Sequence, residues 1–318
     1  MTKPLRWLGF VITLLFFPAA IAVMYVRISL PDTGPAPDLS LERTPARIAR
    51  GRYLAHHVAA CMDCHTIRDK AFFAGPSVPG QLGAGGERFD RETAGIFYAP
   101  NITPAGLGTW TDGEILRAIA TGVNREGRAL FPVMPYHAYG QMDEEDLYSI
   151  IVYLRTLPPV ARKVPDRELD FPLRFLINLL PARATLTPAP SRSDQIAYGG
   201  YLAGIAGCTE CHSKTEKVPG SPWGGGMEFR QPAGVVRSAN ISPDDATGIG
   251  RWSKETFIRR FKMYAVYPPA RLLPDDLNTP MPWNHYAGMT EQDLGALFAF
   301  LQSVQPVRNT VKTFEKQP

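Results

Sequence analysis

Two pentapeptides of one pattern decide how this sequence folds: Cys61-Met62-Asp63-Cys64-His65 and Cys208-Thr209-Glu210-Cys211-His212. The chain of 318 residues has four cysteines, and all four lie in these two copies. In each copy the two thiols stand about one helical turn apart, and a histidine follows the second thiol directly. The pattern therefore predicts two sites that each use both thiols together with the imidazole.

Cys-x-x-Cys-His is the attachment pattern of c-type haem. Each thiol can form a thioether with a haem vinyl group, and the adjacent imidazole then binds the iron from one face. A structural disulfide needs no histidine, a thioredoxin-type dithiol belongs in a β-α-β pattern that is absent here, and a zinc site would find this histidine badly placed. We therefore predict two covalently bound haem c groups, with these cofactor-binding residues: Cys61, Cys64, His65, Cys208, Cys211 and His212.

The body of the chain consists of one sequence unit that occurs twice. Cys61 and Cys208 are 147 residues apart, and so are Met134 and Met281. A duplicated domain explains why this spacing is constant. The predicted boundaries are residues 44–163 for cytochrome c domain 1, 164–191 for a linker, 192–310 for cytochrome c domain 2 and 311–318 for a tail.

Each unit contains three helical segments and no convincing run of alternating strand residues. The first helix begins at Thr44 in one copy and at Ser193 in the other. The third helix has apolar residues at i, i+3, i+4 and i+7 in both copies. The 30 prolines and 28 glycines indicate long ordered loops between the helices. The sequence therefore predicts an all-α, loop-rich fold of two tandem domains.

The second axial ligand of each iron is predicted to be a methionine. Met134 and Met281 lie in proline-flanked loops just before the third helix of each unit. A thioether is a soft ligand that favours ferrous iron and raises the reduction potential. Met142 and Met289 also repeat, but each directly precedes the expected helix start and suits a hydrophobic staple. The predicted iron ligands are His65 and Met134 for the first haem, and His212 and Met281 for the second.

The remaining histidines do not repeat at equivalent positions, as ligands of a duplicated site should. They are His56, His57, His137 and His285. We expect them to be partly exposed surface or haem-edge residues. The sequence predicts no catalytic residue.

The N-terminus indicates a compartment. Lys3 and Arg6 precede an uncharged apolar stretch, residues 7–26, which is as long as a helix that spans a bilayer. A cleaved signal peptide is the alternative, because Ala20-Ile21-Ala22 resembles a cleavage site, although the apolar run continues beyond it. Basic residues before a span stay in the cytoplasm, so we expect a bacterial inner-membrane protein with a single N-terminal pass and haem domains in the periplasm. The predicted boundaries are residues 1–30 for the transmembrane anchor and 31–43 for a Pro-rich stalk.

Composition excludes other classes of protein. Hydrophobic residues make up 45% of the chain and charged residues 20%, which permits a packed core and excludes wholesale disorder. The net charge is only +4, and no basic cluster is present, so we expect no nucleic-acid partner.

The order of the motifs resembles that of the cytochrome c subunits of bacterial membrane-bound dehydrogenases, which include quinone-dependent alcohol dehydrogenases and molybdenum hydroxylases. That order is Cys-x-x-Cys-His, a Gly-rich loop, Asn-Ile-Thr/Ser-Pro, Trp, Met-Pro-Tyr/Trp and then Asp-Leu in an apolar helix, over residues 45–160 and 193–307. The segment 168–174 is similar to the linker that follows the first haem domain in that family. Those subunits usually carry three haems, whereas this chain has two haem motifs.

The resemblance implies a class I cytochrome c fold, His/Met haems and electron transport within a respiratory chain. Electrons would pass from the catalytic subunit of a dehydrogenase toward a quinone, a soluble cytochrome or an oxidase, and the N-terminal helix would contact lipid. The chain would then be an electron-transfer subunit rather than an enzyme on its own. A diheme peroxidase is one alternative, but it needs one open haem. The anchored diheme subunit of a haem-copper oxidase is another, but its haem motifs usually lie closer together than 147 residues.

Overall fold

In a computed structural model, each half of the chain folds around its Cys-x-x-Cys-His motif, and buried residues of both halves form one continuous core. The structure describes residues 3–91, 95–213, 222–231, 233–266, 269–273, 276 and 278–316. The ends of the predicted anchor and tail, residues 1–2 and 317–318, lie outside this range. Both halves place their haem motif on a short helix between the first and last long helices of the unit.

The helices follow the duplicated pattern of the sequence. The chain begins with α1 (Lys3–Ile28), and the first unit then contains α2 (Pro45–Tyr53), a π-helical turn (Leu54–Val58), α3 (Cys61–Cys64), α4 (Pro104–Leu107), α5 (Asp112–Thr121), α6 (Tyr136–Tyr139) and α7 (Glu144–Leu154). Between the units lie α8 (Leu173–Leu176) and a 3-10 turn (Ile177–Leu179). The second unit contains α9 (Gln195–Ile205), α10 (Cys208–His212), α11 (Lys254–Lys262), α12 (Trp283–Tyr286) and α13 (Glu291–Ser303).

Side-chain caps set where the long helices begin. The Thr44 hydroxyl accepts a hydrogen bond from the backbone N–H of Arg47 at 3.2 Å, as expected for an N-cap. In the second unit the prediction of Ser193 is off by one residue. The cap is Asp194, whose carboxylate accepts from the N–H of Ala197. Asp can satisfy the free N–H groups of a first turn as well as Ser, so the pattern alone did not separate the two neighbours.

The first and last helices of each unit cross in close contact, α2 on α7 and α9 on α13. A Cβ added to Gly51 would lie 1.8 Å from the carbonyl oxygen of Ser149. A Cβ added to Gly199 would lie 2.0 Å from the carbonyl oxygen of Ala296. Only glycine permits this approach of two backbones, so these glycines fix the crossing that holds each haem motif.

Two small antiparallel sheets correct the prediction of an all-α fold. About 39% of the structure is helical. One sheet has the order β1 (Arg88–Arg91), β2 (Gly95–Tyr98) and β3 (Glu168–Leu169), and the other has β4 (Glu228–Gln231), β5 (Gly234–Arg237) and β6 (Phe314–Lys316). The strands have two to four residues, too few for a clear alternation of apolar and polar side chains. The third strand of each sheet comes from beyond the predicted domain, in the linker and in the tail.

The registers of the two sheets are equivalent. Ile96 pairs with Glu168 in the first sheet, and Val235 pairs with Glu315 in the second. Glu168 and Glu315 are 147 residues apart, the same spacing as the haem motifs. The repeat therefore includes the third strands.

The structure also contradicts the prediction of an N-terminal transmembrane helix. Residues 3–28 do form one helix, α1, which contains Pro18. Within the described part of the chain, however, no helix combines the length and the apolar character that crossing a membrane requires.

The two units meet at a reciprocal junction. The Tyr53 hydroxyl on α2 donates to Asp293 Oδ2 on α13 at 2.6 Å. In return, the Tyr201 hydroxyl on α9 donates to Asp146 Oδ2 on α7 at 2.7 Å. The first helix of each unit thus donates to a buried carboxylate at the start of the last helix of the other unit.

Candidate functional site

A left-handed residue turns the chain into each haem motif. Ala60, with φ of +50°, directly precedes α3, and Gly207, with φ of +63°, directly precedes α10. The first motif therefore begins its own short helix after a sharp turn, and Cys61 and Cys64 stand at its two ends. In such a turn of helix, side chains three positions apart lie on the same face, as a pair of thioether bonds to one ring requires.

The histidine of each motif is oriented by a backbone carbonyl. His65 Nδ1 lies 2.8 Å from the Pro100 carbonyl oxygen, and His212 Nδ1 lies 2.7 Å from that of Ala239. A carbonyl can only accept, so Nδ1 carries the hydrogen and donates it. The lone pair of Nε2 is then available for a metal.

Burial favours the neutral forms of these groups. It lowers the pKa of His65 and of His212 below the ordinary value of 6.5, which keeps both imidazoles unprotonated and able to bind iron. Burial also raises the pKa of the Cys61, Cys64 and Cys208 thiols to about 12. Cys61 and Cys64 are not joined by a disulfide. The structure thus gives no support to a disulfide in the first motif.

One cavity brings the predicted ligands of the first haem together. Cys61, Cys64, His65 and Met134 all line a cavity of about 320 Å³. An adjoining cavity of about 290 Å³ shares Cys61, His65 and Met134 with it. The walls of the adjoining cavity are mostly apolar and include Ile102, Leu107, Ile115, Ile119, Ile150 and Leu154. The chain therefore surrounds the first motif with the apolar walls that a porphyrin ring needs.

The two pairs of repeated methionines occupy different environments. Met134 is half-buried and lines the cavity beside His65. Met142 is only 1% exposed and packs in the core, directly before the Asp143 cap of α7. In the second unit Met281 is half-buried and Met289 is 1% exposed. The ligand roles of Met134 and Met281 stay predictions, and the packing agrees with the staple role of Met142 and Met289.

The repeated asparagines Asn101 and Asn240 bind backbone groups, and Asn101 also lines the cavity of about 290 Å³. Asn101 Nδ2 donates to the Val160 carbonyl oxygen at 2.8 Å, and Asn240 Nδ2 donates to that of Val307 at 2.7 Å. Each asparagine also accepts from the N–H two residues further along the chain. These bonds tie the loop after β2 or β5 to the segment that follows the last helix of the same unit.

Three of the remaining histidines meet at the junction of the units, which spacing alone did not reveal. His285 Nδ1 lies 2.9 Å from the His56 carbonyl oxygen, and His57 Nδ1 lies 2.9 Å from the His285 carbonyl oxygen. His285 Nε2 is 3.6 Å from Asp63 Oδ1, inside the first haem motif. Among the described residues, no group of three or more His, Cys, Asp or Glu side chains could hold a metal ion. The contacts of His285 with the His56 carbonyl oxygen, His57 and Asp63 join the second unit to the first, so these side chains contribute to the packing of the two units.

No protein-family model matches the chain. It is 28% identical over 297 residues to the cytochrome c subunit of the quinone alcohol dehydrogenase of Gluconacetobacter polyoxogenes, which covers 84% of this chain and 59% of that protein. It is 30% identical over 302 residues to the fructose dehydrogenase cytochrome subunit of Gluconobacter japonicus, which covers 86% of this chain and 57% of that protein. The chain is a homologue of dehydrogenase cytochrome c subunits.

A shorter similarity concerns a protein with two haems in its name. The chain is 30% identical over 166 residues to a diheme cytochrome c-type protein of Cereibacter sphaeroides, covering 48% of this chain and 53% of that protein. The chain spans somewhat less than three fifths of the lengths of the two dehydrogenase subunits. The resemblance that the motifs indicate is confirmed, and the relatives support electron transfer through haem c.

The residues of the first site fit a covalently held haem c. Two thiols, an imidazole with a free Nε2 and a thioether line one continuous space with apolar walls. Sequence reasoning named these four groups but missed Arg162 and Arg167, which line the same space. Both arginines lie outside the motif and are not repeated in the second unit, so no pattern in the sequence indicated them.

Proposed function

We propose that this chain is an electron-transfer subunit that holds two haem c groups, each with a histidine and a methionine as axial ligands. The observation that carries the proposal is the convergence of Cys61, Cys64, His65 and Met134 on one cavity, with His65 Nδ1 bound to a carbonyl. The same bond is made by His212 in the second unit. Two equivalent sites in one chain suit the relay of electrons from one redox centre to the next.

The chain's own side chains would hold each haem as follows. Each cysteine would hold the haem through a thioether, formed when its S–H adds across a vinyl group so that sulfur bonds one carbon and hydrogen goes to the other. His65 or His212 would supply Nε2 to the iron, while the carbonyl of Pro100 or Ala239 holds the imidazole in place. A haem bound in this way takes up and releases one electron at its iron.

The surroundings suit electron transfer better than catalysis on oxygen or peroxide. A methionine ligand would complete the coordination of iron and leave no site for a substrate. Apolar walls limit the access of water, and rigid ligands reduce the rearrangement that accompanies each change of charge. Both units offer a methionine at the same position, which gives no reason to assign peroxidase activity to either site.

We further propose the catalytic subunit of a dehydrogenase as the electron donor. The names of the relatives support it, because each of the two long similarities is to the cytochrome subunit of a dehydrogenase. A quinone, a soluble cytochrome or an oxidase would accept the electrons. The haem domains would lie in the periplasm, where bacteria attach haem to such motifs. Copurification from native membranes and periplasm, followed by identification of the bound subunits, tests the partner and the compartment.

The haem count tests the core of the proposal. Denatured protein should retain two haems per chain in a pyridine haemochrome assay. Replacing Cys61 and Cys64 with Ser should remove one haem, and replacing Cys208 and Cys211 with Ser should remove the other. A wild-type count of one or zero would overturn the proposal. A haem with an open coordination position in the isolated protein would overturn the His/Met assignment.

A further inference from the structure

Two arginines reach the first haem cavity from the segment that follows the last helix of the unit. Arg162 lines the cavity of about 290 Å³, and Arg167 lines the cavity of about 320 Å³. Arg167 directly precedes β3, so the pairing of β3 with β2 fixes its place at the cavity. Arg162 lies against Gly86, where an added Cβ would come within 2.8 Å of Arg162 Nε.

Neither guanidinium has a carboxylate partner within the described residues. Arg162 Nη1 donates to Gln81 Oε1 at 3.1 Å, and Arg167 Nη1 donates to the Ala129 carbonyl oxygen. Both of these acceptors are neutral. Burial, with the nearby cation of Arg128, lowers the pKa of Arg167 below its ordinary value. Arg167 is half-buried, and a half-buried cation without a counter-ion is unfavourable, so the cavity is suited to receive an anion. Arg162 is exposed at the adjoining cavity and adds a second positive charge there.

Haem c brings two anions into such a cavity. Its two propionate carboxylates lie on the half of the ring opposite the vinyl groups that bond the cysteines. A cavity lined by cysteines and also by arginines therefore offers a partner to both halves of the ring. The planar guanidinium can bind a carboxylate through two parallel hydrogen bonds.

The other charges that the structure describes near this cavity are one cation and two carboxylates, so they offset only part of the charge of Arg162 and Arg167. Arg128 also lines it, but its guanidinium is 3.7 Å from the Glu126 carboxylate. Asp166 lines it as well and contributes one negative charge. Arg162 and Arg167 are thus the two cations at the cavity without a carboxylate partner among the described residues.

The second unit lacks both cations at the equivalent positions. At the spacing of 147 residues, Arg162 corresponds to Asn309 and Arg167 corresponds to Phe314. The equivalence is structural as well, because Arg167 precedes β3 where Phe314 begins β6. Asn309 Nδ2 is already used, since it donates to the Gly224 carbonyl oxygen at 2.9 Å. The arginine pair is therefore a feature of the first unit alone.

We propose that Arg162 and Arg167 bind the propionates of the first haem and raise its reduction potential. The inference rests on the proposed function, since it requires a haem at each motif. Reduction adds an electron to the haem, so a nearby positive charge stabilises the reduced form, more strongly where water is excluded. The second haem, with Asn309 and Phe314 at these positions, receives no such contribution. The two haems are thus made unequal by residues outside their motifs.

Spectroelectrochemical titration of the full chain tests this inference. In Arg162→Gln and in Arg167→Gln, one of the two midpoint potentials should fall while the other stays unchanged. Arg162→Lys and Arg167→Lys keep the positive charge and should retain most of the potential. The matched control is Arg88→Gln, which removes an exposed arginine paired with Asp90 on the same unit and should shift neither potential. Met134→Ala identifies the first haem, because it should lower the same potential.

Three results would overturn the inference about Arg162 and Arg167. The inference is overturned if neither potential moves in the glutamine variants, or if the potential that moves is not the one that Met134→Ala lowers. If a glutamine variant fails to retain the first haem, redox-difference infrared spectra of the lysine variants provide the second measurement. Propionate bands that match the wild type there would overturn the inference. A wild-type chain without two haems would instead refute the proposed function, so the two failures are distinguishable.

Discussion

Truncating the two repeated methionines of the first unit should separate ligation from packing. Met134→Ala removes the thioether that lines the cavity beside His65. Met142→Ala removes a side chain that is only 1% exposed in the core. The two variants delete the same atoms from positions eight residues apart, so each serves as the control for the other.

The expected losses differ in kind. Truncating a fully buried methionine costs about 2–5 kcal/mol, because apolar burial is lost and a cavity remains. That loss corresponds to a roughly 30-fold to 4,000-fold change in the unfolding equilibrium at 1.4 kcal/mol per factor of ten. Met134 is half-buried, so the loss of its packing should cost only about 1 kcal/mol of stability. Its truncation should instead remove the contribution of the first haem to the sulfur-to-iron charge-transfer band, about half of the wild-type intensity with Met281 still in place, and lower the potential of the first haem.

Urea unfolding and the optical spectrum of the oxidised protein measure the two effects on the same samples. Met142→Ala should lower the unfolding midpoint strongly with the charge-transfer band intact. Met134→Ala should lose the first haem's part of the band, with a smaller fall of the midpoint. Loss of the band in Met142→Ala with retention in Met134→Ala would refute the ligand assignment. Retention of the first haem's band in both variants would mean that its axial partner is neither methionine.

Three further predictions concern stability. Tyr53→Phe removes a hydrogen bond to the buried Asp293 carboxylate and should lower the free energy of unfolding by about 1.5–3 kcal/mol in urea titrations. Burial lowers the pKa of His56 from 6.5 to about 4, so the unfolded chain binds more protons between these values, and stability should fall as pH falls through that window. The contribution of His56 to that fall is about 2 kcal/mol after allowance for solvent screening, so the loss of stability between pH 7 and pH 4.5 should be smaller by that amount in His56→Gln than in the wild type. Gly51→Ala should destabilise the protein by about 1–3 kcal/mol, whereas Gly204→Ala, with open space around the new Cβ, should be neutral or slightly stabilising in thermal unfolding.

Much of what the sequence predicted follows from the constant spacing of 147 residues between equivalent positions of the two units. This spacing related the two haem motifs and the two methionine loops, and the structure extends it to the third strands at Glu168 and Glu315. The helix starts at Thr44 and Thr290 followed from residues whose side chains cap locally. Such features depend on neighbours within a few residues, so a single sequence contains the information.

The features that could not be predicted depend on distant pairing. The sequence did not predict the two sheets, because the third strand of each lies about 70 to 80 residues beyond the strand with which it pairs. The contact of His285 with Asp63 joins positions 222 residues apart in non-equivalent places of the repeat. The roles of Arg162 and Arg167 likewise arise only when the segment after the last helix folds back over the cavity. No local pattern of residue types specifies these approaches.

The reciprocal junction of the units also bears on how such a chain could have arisen. Tyr53 on one unit binds Asp293 on the other, and Tyr201 binds Asp146 in return. An interface in which each partner gives and receives the same contact is isologous, the kind that joins two identical subunits about a twofold axis. A single ancestral unit with one such tyrosine and one such aspartate could therefore have dimerised with itself before its gene was duplicated and fused. The present chain would then be a tethered dimer, in which the two copies became free to acquire different residues, such as the arginines of the first unit, around a shared architecture.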